Sequence, residues 1–243
     1  MNTFKVYKLG MVPYRKALDI QLSLLEKRKN GEIGDTLLLL EHPPTLTIGR
    51  RGNMANLLVS DKLLAERGIH FEVISRGGDV TFHGPGQLVG YPIFDLSAEK
   101  DVHKYLRRLE DAIILALRPY GIPARSIEGV TGVWAKWHKI ASIGVGVKKW
   151  ITYHGFALNV NTELSYFDLI VPCGIQDVRM TSIQRWQARQ DEVDMAEVEE
   201  NIIKAFSQVF DKRHLKTVTL FGSDTEDSTD FELMLDIEKQ LES

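Results

Sequence analysis

The sequence predicts a single α+β domain with mixed or largely antiparallel β-sheets flanked by helices. Three observations carry this expectation. Segments of strand and helix character do not alternate strictly, which argues against a doubly wound parallel sheet. Residues 130–161 read as three successive strands, GVWAKW, KIASIGVGVKKW and ITYHGFALNVN, parted only by short polar or basic breaks, the pattern of an antiparallel meander. Two long segments, 102–118 and 194–210, are amphipathic at helical spacing, so each has an apolar face to lay against a sheet.

Taken in order, FKVYKLG (4–10) is β-branched and aromatic enough for a first strand. Pro13 opens a helix with Tyr14, Leu18, Leu22 and Leu25 on one stripe, and Asn30-Gly31 ends it. TLLLLEH (36–42) and TLTIG (45–49) are strands joined by Pro43-Pro44. Ser60 is placed to cap a short helix through Leu63, Leu64 and Arg67, stopped by Gly68. IHFEVIS (69–75) and LVGYPIFDL (88–96) are strand-like. Asp101 caps the 102–118 helix, which Pro119 and Gly121 terminate. Met195, Val198, Ile202, Ala205 and Val209 form the stripe of the 194–210 helix, and FELMLDIEKQL in the tail has the pattern of a last one.

At 243 residues the chain is long enough to bury a core without a disulfide or metal staple. A net charge of −3 does not point to nucleic acid. From Ser223 onward there are eight acids and one base, so the body before it is mildly basic. The expected division is a catalytic domain over 1–222 and an acidic, partly helical tail over 223–243. No cleavable leader and no apolar run long enough for a membrane span stand out. One cysteine, Cys173, allows no internal disulfide and fits a reducing cytoplasm. The histidines lack metal-ligand spacing and a lone cysteine excludes thiolate zinc sites, so no metal is expected.

RGGDVTFHGPGQLVGYP (76–92) concentrates turn residues around Arg76, Thr81, His83 and Gln87. It reads either as a decorated turn or as a binding wall whose glycines let a ligand approach the backbone. It lacks the phosphate-loop and dinucleotide spacings, and a strand follows it rather than a helix. VPCGI places Cys173 in a turn. A free cysteine is commonly a small buried hydrophobe, yet a turn-borne thiol beside glycine is also accessible. A thiol attacks as thiolate and needs a partner for its proton. Lys139, opening an apolar strand, is the candidate, because a lysine stripped of water can exchange protons near neutrality; the other reading is a solvated strand-end lysine. His83 and His154 are either site residues or structural hydrogen-bonders.

The run RGGDVTFHGPGQLVGY matches R-G-G-x-x-T-aromatic-H-x-P-G-Q-x-aliphatic-x-Y at every fixed place, and in this it resembles the lipoate–protein ligase B family, the octanoyl–acyl carrier protein:protein octanoyltransferases. KIASIGVGVKKWITYHGFALNVN (139–161) and IVPCGI (170–175) agree with the same family, and the resemblance spans roughly residues 4–210. It implies a biotin/lipoate ligase-like fold, a catalytic pair of Cys173 as acyl-thioester nucleophile and Lys139 as acid–base, and no cofactor. It further implies an acyl slot from three segments: Arg76, Gly77, Gly78, Asp79, Val80, Thr81, Phe82 and His83; Ser142, Ile143 and Gly144; Gly155, Phe156 and Ala157. Small residues there would leave room for the chain. His83 would face the pocket and His154 would stand behind it. Backbone N–H groups near Gly78 or in a 142–144 turn are the oxyanion candidates.

The implied reaction moves an octanoyl group from octanoyl–acyl carrier protein to a lysine on lipoyl domains of 2-oxoacid dehydrogenases and the glycine cleavage H protein. The chain is expected to be a cytoplasmic monomer engaging neither nucleic acid nor membrane. Arg50, Arg51, Lys148, Lys149 and Arg179 are basic residues able to meet acidic partners. The alternative is an ATP-dependent lipoate or biotin protein ligase, which shares the fold but activates the acid as an adenylate; a third reading is a non-catalytic acyl-binding protein.

Overall fold

The structure, a computed structural model, describes residues 2–50, 52–175 and 178–219. β1 (Thr3–Met11) leads through α1 (Tyr14–Lys29) to β2 (Asp35–Glu41) and β3 (Thr45–Ile48). Then come α2 (Asp61–Glu66), β4 (His70–Val73), β5 (Thr81–His83), β6 (Gln87–Ile93) and α3 (Val102–Leu117). A run of strands follows, β7 (Ala124–Ile127), β8 (Val130–Ala135), β9 (His138–Lys148) and β10 (Ile151–Asn159). The last described elements are β11 (Arg179–Met180), α4 (Ile183–Trp186), α5 (Met195–Val209) and β12 (Arg213–Thr219).

The large sheet has the order β12-β1-β2-β6-β10-β9-β8-β7, with β11 also pairing β9. β1 is parallel to both neighbours, and the main path from β2 to β7 is antiparallel. A second sheet has the order β4-β3-β5. This is the mixed α+β arrangement expected, with the 130–161 meander forming β8, β9 and β10.

The run of leucines in β2 shows why the sheet is central. Side chains alternate faces along a strand, so Leu37 and Leu39 enter the core shared with α3 and α5, while Leu38 and Leu40 enter the core shared with α1. A strand buried on both faces carries no polar alternation. α1 lays Tyr14, Ala17, Leu18, Leu24 and Leu25 on the sheet; Leu22, expected on that stripe, is 40% exposed because Ile20 and Gln21 take the buried positions. Asp101 caps α3 by accepting from Lys104 N, and Ser60 caps α2 by accepting from Leu63 N. β5 forms inside the glycine-rich stretch, where only turn chemistry was legible. The apolar tail pattern lies outside the described residues.

One irregularity shapes the site. Pro92 has no N–H and sits in β6, a strand with neighbours on both sides. The ladder to β10 stops at Gly90↔Phe156. Beyond it the Thr152 hydroxyl donates to Pro92 O (2.7 Å) and accepts from Phe94 N (2.9 Å). In the gap His154 adopts φ 55, the left-handed region that costs a side-chain-bearing residue about 1–2 kcal/mol. Its backbone N–H is satisfied by Gln21 Oε1 at 2.7 Å.

Candidate active site

Cys173 and Lys139, 34 positions apart in sequence, meet: Lys139 Nζ lies 3.1 Å from Cys173 Sγ. Two strand contacts deliver the lysine. β8 pairs Trp134 with Lys139 on one side, and β11 pairs Met180 with it on the other. Lys139 is only 1% exposed, so it is not the solvated strand-end residue that its sequence position allowed. Its amine stands 5.7 Å from the Trp134 ring centroid, a distance at which a cation is attracted by the ring face. Gly132 lies alongside; a Cβ there would come within 2.6 Å of Lys139 Cε.

The cysteine sits in a 3-10 turn, Pro172–Gly174, with φ 58 and ψ 16. Its N–H donates to Val80 O at 2.9 Å, which ties the turn to the glycine-rich stretch. Asp79 fastens the same region: its carboxylate accepts from Asn53 N (3.0 Å), Asn56 Nδ2 (2.5 Å) and Val80 N (2.7 Å). The thiol is partly exposed and the Ser142 hydroxyl is 4.0 Å from the sulfur.

From Cys173 a cleft of about 280 Å3 runs over β9 and β10. Of the residues expected to form an acyl slot, Arg76, Gly78, Asp79, Thr81, His83, Ser142, Ile143, Gly144, Gly155, Phe156 and Ala157 line it. Val80 and Phe82 do not; they point into the core of the small sheet, as alternation along a strand requires. Gly77 binds its N–H to Val145 O at 3.0 Å beneath the cleft wall. Tyr14, Tyr91, His154, Ile175 and the 129–131 segment complete the lining; Tyr91 closes the signature motif and His154 is one of the candidates, while Tyr14, Ile175 and 129–131 carry no site signal in the sequence. His154 is therefore on the wall and not behind it.

The glycines serve the scaffold more than the cavity. A Cβ on Gly155 would fall 2.1 Å from Gly90 O on β6, so the residue is glycine because two strands close over it. Residues 142–144 lie in mid-strand within β9, paired to β10, and not in a turn.

Arg76 is 7% exposed and ties the glycine-rich stretch to β3: Nη2 donates to Thr47 O and Thr47 Oγ1 at 2.9 Å each, and Nη1 to Gly77 O at 3.0 Å. Around it stand three buried histidines. His42 faces Val12 O (2.6 Å) through Nδ1 and the Tyr91 hydroxyl (2.7 Å) through Nε2. His83 faces Gln87 Oε1 at 3.0 Å. Neither ring nitrogen of His154 has a partner. Burial lowers His42 to about 4 and His154 to about 3, the latter helped by repulsion from Arg76 and Arg50. Burial, with repulsion from His42 and Arg76, holds His83 well below the usual imidazole range. The inner cleft thus carries neutral imidazoles. Among the described residues no cluster of three or more His, Cys, Asp or Glu is placed to hold a metal, and no helix is long and apolar enough to cross a membrane.

Comparison with known proteins places the chain in a family. Residues 13–207 match the family described as the lipoyl protein ligase A/B catalytic domain. An octanoyltransferase of Solibacter usitatus is 49% identical over 214 residues, covering 88% of this chain and 96% of that protein. An octanoyltransferase of Myxococcus xanthus is 48% identical over 222 residues, covering 88% of this chain; this chain spans 62% of its length. Among solved structures, lipoate-protein ligase A bound with ATP superposes with a TM-score of 0.74 at 18% identity, over 99% of this chain and 95% of that one, a likeness of fold. The chain belongs to the lipoyl protein ligase A/B catalytic-domain family, among its octanoyltransferases.

Proposed function

We propose that this chain moves an octanoyl group from an acyl carrier protein to a lysine amine on a lipoyl domain, through a thioester on Cys173. The observation that supports it most is the 3.1 Å approach of Lys139 Nζ to Cys173 Sγ at the head of the cleft. Lys139 accepts the thiol proton and the thiolate attacks the donor carbonyl. As the tetrahedral intermediate collapses, the C–S bond to the carrier breaks and the departing thiolate takes the proton back from Lys139. The acceptor amine then attacks the acyl-cysteine, gives its proton to Lys139, and the returning Cys173 thiolate is reprotonated. The net change is thioester plus amine to amide plus thiol. The Gly78 N–H and the Ser142 hydroxyl are the oxyanion donors in this scheme.

Splitting one transfer into two suits a single site that meets two bulky partners in turn. Apolar contact in the cleft holds the chain at about 0.8 kcal/mol for each buried methylene. The catalytic unit is assigned to 1–222, and the acidic tail carries no role in this scheme. The test is transfer with purified octanoyl carrier protein and a lipoyl domain in the absence of ATP. Product should form with ping-pong kinetics. Strict dependence on ATP would favour the adenylating-ligase alternative.

A further inference from the structure

A second hollow lies near the start of β9, beside the chain neighbours of the reactive pair. It measures about 750 Å3, and His138, Pro172, Arg179, Gln184, Arg185 and Arg189 are among its lining. Two chain neighbours fix its position: His138 directly precedes Lys139, and Pro172 directly precedes Cys173. The acyl cleft instead takes β9 from Ser142 to Gly144. Along β9 the stretch that lines this hollow, Lys139 and the stretch that lines the acyl cleft therefore follow one another in that order. A thioester placed with its carbonyl at the sulfur has two arms. If the acyl arm fills the cleft, the arm on the leaving sulfur extends the opposite way, into this groove.

The groove has the charge to receive that arm. Its three arginines all belong to the 179–189 stretch, and none makes an ion pair with a described residue. Lys8, Arg28, Arg107 and Lys148, by contrast, are each held by a carboxylate. The groove's own acids, Glu163 and Asp168, lie on a separate 3-10 segment. A free guanidinium keeps its fork of donors for a planar or tetrahedral oxyanion. We propose that this groove binds the leaving-group arm of the acyl donor, with Arg179, Arg185 and Arg189 holding a phosphate carried on that arm. This rests on the thioester reading above. The apolar cleft then selects the acyl chain, and the arginine groove selects the carrier.

Two small donors isolate the claim: octanoyl-4′-phosphopantetheine and octanoyl-pantetheine, which differ only in the phosphate. Single-turnover acylation of Cys173 in the full chain is followed by intact mass. The phosphorylated donor should react with kcat/KM roughly tenfold higher, the gain expected of charge-assisted hydrogen bonds. Arg185→Ala and Arg189→Ala should each shrink that ratio and the double variant should bring it near one, as should about 0.5 M salt. Thermal unfolding of the variants checks that they fold. Equal rates for the two donors in the unaltered protein, or an unchanged ratio in the double variant, overturn the proposal. Acylation by neither small donor while octanoyl carrier protein still acylates Cys173 overturns this proposal alone; absence of acylation by the carrier protein as well overturns the thioester reading with it.

Discussion

Acidification probes the buried imidazoles with a magnitude that can be worked from their surroundings. His42 and His154 are held at about 4 and about 3 in the folded chain, and His83 well below its usual value, chiefly by burial. In the unfolded chain each titrates near 6.5. Between that value and the folded ones, the unfolded state binds protons that the folded state refuses, so stability falls as pH falls. From pH 7 to pH 5 the loss is about 2 kcal/mol for one such histidine and about 6 kcal/mol for three. That is a large part of the roughly 5–15 kcal/mol that holds a domain together. Glu41, Glu110 and Glu199, raised by burial, act with the opposite sign, so a difference between two proteins is the cleaner readout. His42→Gln removes one imidazole and leaves the carboxyls in place. Urea unfolding at pH 7 and pH 5 should show the variant losing about 2 kcal/mol less than the parent over this interval. An equal loss in both would refute the assignment of His42 as a buried neutral group.

Other substitutions probe the scaffold. Gly155→Ala should cost about 3 kcal/mol or more, since its Cβ would meet Gly90 O at 2.1 Å and Pro92 Cδ at 2.7 Å; an unchanged melting temperature would show that β6 and β10 part freely. Arg76→Met removes three hydrogen bonds, two of which tie the glycine-rich stretch to β3, and should lower stability by about 2–4 kcal/mol, measured by urea unfolding; a neutral effect would make Arg76 a ligand group alone. Cys173→Gly relieves a left-handed residue at φ 58 and should leave stability unchanged or raise it by about 1 kcal/mol. A marked loss would mean that the thiol is part of the packing.

Elements that bury a continuous or strictly periodic apolar pattern were legible in the sequence. β2, α3, α5 and the meander β8–β10 fall within a few residues of expectation. The strands that escaped lack that signal. β12, RHLKTVT, is mostly polar and half-exposed, and it exists because β1 offers a parallel edge. β7 has four residues, and β5 is three residues inside a glycine-rich run. In the site, the signature motif gave most of the cleft, but alternation turns Val80 and Phe82 away from it. His154 was misplaced for a backbone reason: its ring reaches the wall from the gap opened by Pro92. The approach of Lys139 to Cys173 depends on β9 taking β8 and β11 as neighbours, a long-range pairing that spacing alone does not reveal.

Mass spectrometry of the intact protein after mixing with octanoyl carrier protein tests the central claim most directly. The parent should gain one octanoyl group that hydroxylamine removes, Cys173→Ala should gain none, and Lys139→Ala should gain it far more slowly at neutral pH while melting as a folded protein. An adduct that persists in Cys173→Ala, or normal rates without the Lys139 amine, would contradict the account.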